Sequence, residues 1–379
     1  MSHHTKLKVL TVVGTRPEII RLAPTIKRLD RFTEHVLVHT GQNYDYELNE
    51  VFFEDLGLRR PDHFLEADTS SLGAVLGSIL TKVERVLLQE RPDAMVVLGD
   101  TNSCISALMA RRMKIPVYHM EAGNRCFDEN VPEEVNRRMV DHVADYNLVY
   151  TEHARRNLLA EGIHPSHILL TGSPMREVLD GNTAAIAASD VVERQGLNDG
   201  QYFLVSLHRE ENVDNPERLA SVLDALGQLA VEYELPVLVS THPRTRHRLE
   251  RQPDHLKDGL TFHPPFGFND YVKLQQSAKL VLSDSGTISE ESSILRFPAV
   301  TLRDSIERPE ALDTAAILLT GVSAESVSDC ARVLLATWAT DGPASVPFEY
   351  EISDASRRVV NFILSTARSH HLRTGIRKS

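Results

Sequence analysis

Cysteine is scarce in this 379-residue chain: Cys104, Cys126 and Cys330 are the whole complement, far apart and with no CxxC pair. That argues against a disulfide framework or a structural zinc site. It fits a reducing compartment, so a cytoplasmic protein is expected. Long apolar runs are also missing. The N-terminal run from Val9 to Val13 is too short for a signal-peptide core or a membrane span, and no membrane partner is expected. Positive charge is in deficit, with 41 Lys plus Arg against 53 Asp plus Glu and a net charge of −12. This argues against a duplex nucleic-acid binder, which depends on cationic contacts to phosphate. A small anionic ligand needs only a local cationic pocket and stays open. No Asp-x-Asp pair occurs, so the simplest acidic metal-diphosphate site is missing. The first strand does not lead into G-x-G-x-x-G, so a bound NAD is not signalled. His242 and His247 are five apart, not the four that put two ligands on one helix face, and His3-His4 reads as a bland terminal pair. No metal and no cofactor are expected.

What is present is ordinary globular material: 42% apolar and 25% charged residues, enough for two or three domains with real cores. Short β-branched runs alternate with helical patterns from end to end. Strands are expected at residues 8–13, 36–40, 94–98, 117–120, 147–150 and 168–171, then at 202–207, 237–241, 260–263, 280–283, 299–302 and 316–319. Several are continuously apolar, as parallel strands buried on both faces are. Leu219, Val222, Leu223, Leu226, Leu229 and Ala230 follow helical spacing behind an Asn215-Pro216 start. The alternation implies an α/β fold of two doubly wound, Rossmann-like parallel-sheet domains facing each other across a cleft. The strand-free stretch 180–199 lies at the break. We expect domains at 1–172 and 173–379, with the last helical stretch, about 354–372, able to pack back on the first.

In such sheets ligands bind beyond the carboxyl ends of the strands. Gly14-Thr15-Arg16-Pro17-Glu18 follows the first strand and offers N–H groups, a helix dipole and a guanidinium to phosphate. An ordinary βα turn with a solvated arginine would read the same. Gly99-Asp100 follows the third expected strand, where a carboxylate also serves as an N-cap. His119-Met120-Glu121-Ala122-Gly123 follows the fourth, and Glu121 has no evident capping job. Glu133 and Glu134 begin a helix, where the dipole alone favours acids. Convergence favours chemistry: Asp100, Glu121 and Glu133 would approach one place, and clustered carboxylates separate into acid and base. In the second half His208 ends a strand, as a core histidine or as a group meeting an anionic leaving group. Ser283-Asp284-Ser285-Gly286-Thr287 is a small-residue turn into a helix, suited to a diphosphate, with Glu291 downstream for a ribose diol. Arg308 offers a second phosphate cation.

Taken in order, GTRPEIIRLAP, GDTNS, HMEAGNRCFDENVPEEVNRR, TGSP, HREENVDNPERL, SDSGTISEESS and RDSIERPEAL resemble the non-hydrolysing UDP-N-acetylglucosamine 2-epimerases. The resemblance runs from about Lys8 to Gly321. It implies a GT-B arrangement of the two domains, a homodimer, and a role in making activated ManNAc-type sugars for cell-surface polysaccharide. The implied reaction interconverts UDP-GlcNAc and UDP-ManNAc by loss of UDP, through a 2-acetamidoglucal, and re-addition. The match assigns Asp100, Glu121 and Glu133 as acid–base carboxylates and His208 as a diphosphate-side partner. It assigns Arg16, Ser285, Gly286, Thr287, Glu291 and Arg308 to the UDP site, and Arg21 would extend the cationic wall.

The chain departs from the best-known members in two places. Gly286-Thr287-Ile288-Ser289 stands where many have Gly-Gly-Ile-Gln. Gln42-Asn43-Tyr44-Asp45-Tyr46 replaces the Gln-His-Arg segment that helps form an activating UDP-GlcNAc site in regulated bacterial enzymes, so no strict activator requirement is expected. The wording HMEAGNRCFDENVPEE looks like a capsule or O-antigen branch that epimerises UDP-2-acetamido-2,6-dideoxy-L-sugars, towards UDP-L-FucNAc. Two rivals differ in kind. A GT-B glycosyltransferase would share the fold but need an acceptor. A non-catalytic UDP-sugar sensor would keep Arg16, Ser285 and Glu291 without needing Asp100, Glu121 and His208 together.

Overall fold

The computed structural model describes residues 6–41, 53–241 and 243–376. His3, His4, residues 42–46 and His242 lie outside them. The described residues fall into two compact units, one drawn from Met1–Asp180 and Ile352–Ser379, the other from Gly181–Glu351.

The first unit is built on β1 (Lys8–Val13), β2 (Glu34–His39), β3 (His63–Phe64), β4 (Ala94–Leu98), β5 (Val117–Met120), β6 (Tyr146–Val149) and β7 (Ile168–Leu170). They pair in the order β3-β2-β1-β4-β5-β6-β7, every pair parallel. The second holds β8 (Phe203–Leu207), β9 (Val237–Thr241), β10 (Leu260–His263), β11 (Leu280–Ser283), β12 (Ala299–Thr301) and β13 (Leu318–Leu319). Their order is β10-β9-β8-β11-β12-β13, again all parallel. Each sheet is wound outward from its first strand in both directions, so both are Rossmann-like doubly wound sheets. The strand order reverses between β1 and β4 in one and between β8 and β11 in the other. Ligands of such sheets bind at that reversal.

The cores explain the continuous apolar runs. Leu10, Val12, Met95 and Val97 are buried together with Val83, Val86 and Leu87 of the helix Leu72–Glu90. In the second unit Phe203, Val205, Val237, Val239, Leu280 and Leu282 meet Val222, Leu226 and Leu229 of the helix Pro216–Tyr233. Asn215 caps that helix, its Oδ1 accepting the N–H of Glu217 at 3.0 Å and of Arg218 at 3.2 Å. Every strand read from the sequence is present to within a residue or two at its ends, and β3 is additional. The stretch from residue 180 to 199 is helical where it is regular, through Met175–Ala188 and Val191–Arg194.

The first unit is closed by the helix Ala355–Thr366. It packs on the helix Arg16–Phe32, with Arg28 Nε donating to Ser356 Oγ at 3.2 Å. Its far end reaches the sheet, where the Tyr118 and Thr366 hydroxyls lie 2.6 Å apart. Val359, Val360 and Ile363 are its buried face. No described helix is long and apolar enough to cross a membrane.

Candidate active site

In the first unit the decisive side chains come from strand ends and from two helices. Asp100 follows β4 by two residues and Glu121 follows β5 directly. Glu121 is buried and sits at φ +62°, a left-handed conformation that costs a non-glycine residue about 1–2 kcal/mol. The cost is offset by what the carboxylate meets. Arg21, on the helix Arg16–Phe32, bonds Glu121 Oε2 through Nη1. Arg137, on the helix Pro132–Val143, bonds Asp100 Oδ2 through Nη2, which also lies 3.6 Å from Glu121 Oε1. Its Nη1 donates to the Glu121 carbonyl at 2.8 Å. Two carboxylates and two guanidinium groups therefore alternate as Arg21, Glu121, Arg137, Asp100. Such pairs are tolerated in a buried setting because each charge is met by another and by directed hydrogen bonds.

The turn after Glu121 is fixed from below. Gly123 lies at φ +79°, and a Cβ there would fall 2.4 Å from the Ala154 carbonyl oxygen, so only glycine fits. Its N–H donates to Asp141. Asp141 Oδ2 accepts from Arg125 at 2.7 Å, and Asp141 Oδ1 lies 2.9 Å from His119 Nδ1. Burial alone would raise the Asp141 carboxyl, but His119 and Arg125 hold it below the ordinary carboxylate range. The other His119 ring nitrogen lies 2.7 Å from the Gly99 carbonyl. The residues beside both site carboxylates are thus anchored through one imidazole.

Glu133 is exposed in the first turn of the Arg137 helix. Its neighbour Glu134 is the buried one, accepting from the Cys126 N–H at 3.3 Å and from Arg138 Nε at 3.1 Å. Arg16 is half-buried at the start of its helix, and Arg21 is buried against Glu121.

In the second unit the turns after β8 and β11 meet. Asp284 is fully buried and accepts the backbone N–H of His208 and of Arg209. His208 Nδ1 lies 3.0 Å from Asp284 Oδ1, with the His208 side chain half exposed. Burial alone would raise the Asp284 carboxyl, but the charge and hydrogen bond of His208, with help from Arg209, hold it below the ordinary range. Ser285 and Thr287 place their hydroxyls 2.9 Å apart at the head of the helix Ile288–Leu295. Arg308 donates to the Gly286 carbonyl at 2.7 Å and pairs with buried Glu290 at 3.2 Å. A Cβ on Gly286 would sit 2.6 Å from Arg308 Nη1, so the missing side chain leaves room for the guanidinium. Glu291 is held by Gln275 Nε2 at 2.6 Å.

The structure joins Asp100, Glu121 and Arg21 in one cluster. It gathers His208, Ser285, Gly286, Thr287 and Arg308 at the reversal point of the second sheet. It also supplies residues to which the sequence reading gave no role: Arg137, Asp284, Glu290 and the His119–Asp141 pair. Arg137 had a visible signal, one turn beyond Glu133 in the same motif, but its partner Asp100 is 37 residues away. Among the described residues no three of His, Cys, Asp and Glu converge as a metal set.

The chain is similar to known proteins along nearly its whole length. The family model described as UDP-N-acetylglucosamine 2-epimerase matches residues 26–364. The UDP-N-acetylglucosamine 2-epimerase of Rickettsia bellii superposes with a TM-score of 0.90 at 45% identity, covering 97% of this chain and 98% of its own. The Methanocaldococcus jannaschii UDP-GlcNAc 2-epimerase, in complex with UDP-GlcNAc and UDP, superposes with a TM-score of 0.88 at 35% identity, covering 95% and 100%. The UDP-2,3-diacetamido-2,3-dideoxy-D-glucuronate 2-epimerase of Pseudomonas aeruginosa is 34% identical over 365 residues, covering 94% of this chain and 99% of that one.

Proposed function

This chain belongs to the UDP-N-acetylglucosamine 2-epimerase family, and on that premise we propose that it interconverts UDP-GlcNAc and UDP-ManNAc by eliminating and re-adding UDP. It is an isomerase acting on a UDP-sugar. The observation that carries the reading is the alternating cluster Arg21, Glu121, Arg137, Asp100 beyond β4 and β5.

The C2 proton of the sugar is not acidic by itself, so its loss must accompany departure of the leaving group. In the proposed reaction a carboxylate takes the C2 proton as the C1–O bond breaks. The bonding pair leaves with UDP, and a C1=C2 double bond forms in a 2-acetamidoglucal. UDP then adds back at C1 while a proton is delivered to the opposite face of C2. Asp100, Glu121 and Glu133 supply the acid and base roles, and Arg21 and Arg137 hold Glu121 and Asp100 in place. His208 and Arg16 meet the leaving diphosphate, together with Arg308 and the Ser285–Thr287 turn, because charge grows there as the bond breaks. Glu291 suits the ribose diol. The chemistry requires no metal and no redox cofactor.

A second reading is C2 epimerisation of another UDP-2-acetamido sugar. It is favoured by the P. aeruginosa relative, which is comparably similar along nearly its whole length yet carries a different UDP-sugar in its name. The family resemblance supports a cytoplasmic homodimer supplying precursors of cell-surface polysaccharide.

The test is incubation with UDP-GlcNAc and a panel of UDP-2-acetamido sugars in D2O, followed by proton NMR. Deuterium should enter C2 of the product and, in time, of recovered substrate. Oxygen-18 placed between C1 and the diphosphate should scramble to non-bridging positions, because UDP detaches. Full epimerisation with the label retained would overturn the elimination route.

A further inference from the structure

One carboxylate of the opening motif belongs to neither cluster described above. Glu18 stands three residues after Thr15, and Thr-x-x-Glu at a helix start ordinarily forms a capping box. There the threonine hydroxyl accepts the glutamate N–H and the glutamate side chain accepts the threonine N–H. Here the arrangement is different. The Thr15 side chain makes no cap bond to the backbone. Its hydroxyl donates to Glu18 Oε2 at 2.8 Å, and the Gly14 N–H donates to the same oxygen at 3.0 Å. The other oxygen, Oε1, accepts the hydroxyl of Ser103, 85 residues further along the chain. Ser103 Oγ in turn lies 2.8 Å from Thr101 Oγ1. Glu18 is 1% exposed, and each of these partners is a neutral donor.

We propose that Glu18 is a positioning residue: its carboxylate ties the turn after β1, which carries Arg16, to the turn after β4, which carries Asp100, and so fixes a phosphate-binding group relative to an acid–base group. The proposal rests on the functional reading above for the roles of Arg16 and Asp100. The tie itself rests on geometry. β1 and β4 are the strands between which the sheet reverses, so their turns diverge and no backbone ladder joins them beyond the strand ends. A buried carboxylate with two accepting oxygens fills that gap. The second unit contains the same device with the residue on the other side. Asp284, after β11, accepts the N–H groups of His208 and Arg209, after β8. A plain cap would not reach Ser103.

Three variants test it: Glu18→Ala, Glu18→Gln and Ser103→Ala. Glutamine can keep its carbonyl oxygen where Oε2 accepts and turn its amide towards Ser103, whose hydroxyl can accept. Glu18→Ala should lower kcat at least about tenfold and raise KM, since small displacements of reacting groups are costly. Glu18→Gln should recover most of both. Amide hydrogen exchange should quicken on Glu18→Ala in two segments, residues 12–17 and residues 99–105, and return to wild-type rates in Glu18→Gln. Faster exchange confined to the first segment, with unchanged kcat, would mean a cap and overturn the tie. A Glu18→Gln enzyme as impaired as Glu18→Ala, with normal exchange, would assign Glu18 a proton or charge role instead. Should Glu18→Ala fail to fold, Ser103→Ala leaves the helix start intact and decides the matter. Faster exchange at Gly14 and Thr15 supports the tie, and unchanged exchange there overturns it. Absence of turnover by wild-type protein on every UDP-2-acetamido sugar would sink the functional reading alone, because the exchange result is read without substrate.

Discussion

In the first unit the turns after β1 and β4 are joined by Glu18, whose partners are neutral. In the second the corresponding turns are joined by Asp284, whose partners include His208 and Arg209. Both carboxylates are buried, yet burial acts on them with opposite outcomes. Desolvation pushes Glu18 up to about 7 in spite of the hydroxyl and N–H bonds it accepts. At Asp284 the adjoining imidazole and guanidinium overcome the same desolvation and hold the carboxyl low. At Glu18 the neutral donors lower the carboxyl but do not outweigh its desolvation, whereas at Asp284 the added positive charge does. The same topology therefore carries one tie that titrates near neutrality and one that stays ionised. Arg21 and Arg137 of the first unit go to Glu121 and Asp100 instead.

The largest effect expected from disturbing this division is on the chemistry. Asp100→Asn or Glu121→Gln should lower turnover by at least about a hundredfold while UDP affinity stays within a few fold. Calorimetry with UDP beside steady-state rates checks this. An equal loss of UDP binding would show that these two carboxylates hold the nucleotide rather than act on the sugar.

Next comes the pH dependence of stability. The folded value of Glu18, about 7, lies above the unperturbed 4.5, so the folded state holds the proton more tightly. The associated stability is fully present below pH 4.5 and is lost as pH rises through 7, by up to about 3 kcal/mol. Asp284 has the opposite sign: its contribution is present above the ordinary carboxylate value and is lost in acid. Denaturant unfolding from pH 4.5 to 8 should show wild type losing stability relative to Glu18→Gln. Parallel curves would remove the contrast between the two ties.

Third, Arg16→Ala and Arg308→Ala should each weaken UDP binding by about 1.5–3 kcal/mol, one charge-assisted contact apiece, with smaller effects on kcat. The smallest effect should come from Asp284→Ala. It leaves two N–H groups without their acceptor, which costs about 2 kcal/mol of unfolding free energy. A loss of activity without that loss of stability would mean that Asp284 acts chiefly through His208.

The sheets were legible in the sequence because parallel strands buried on both faces write themselves as continuous apolar runs. β3 was not, being two residues on an edge, with His63 and Phe64 both partly open to solvent. Asp100 and Glu121 were legible because strand ends in doubly wound sheets are where polar residues do chemistry. Their arginine partners were harder to see. Arg21 and Glu121 are 100 residues apart, and no local pattern links them. Helix phase explains the adjacent Glu133 and Glu134. One of two neighbouring glutamates must face inward, but the motif alone does not say which, and Glu134 is the buried one. In the sequence Glu18 reads as part of a phosphate turn because its most telling partner, Ser103, lies in another motif.

The chain leaves the first unit near Asp180 and re-enters it at Ile352, so the second unit is an uninterrupted segment inserted into a split one. On the ribosome this sets an order. Residues 181–351 emerge whole and have all they need for their own core. The first unit still lacks the helix Ala355–Thr366, whose Val359, Val360 and Ile363 are buried only when it docks. A nascent chain stalled with residue 351 just outside the exit tunnel should already protect its second unit from protease while leaving the sheet of the first accessible. Emergence of the helix Ala355–Thr366 should then protect the remainder in a single step, making the docking of that helix the trigger for completing the half of the enzyme that was made first.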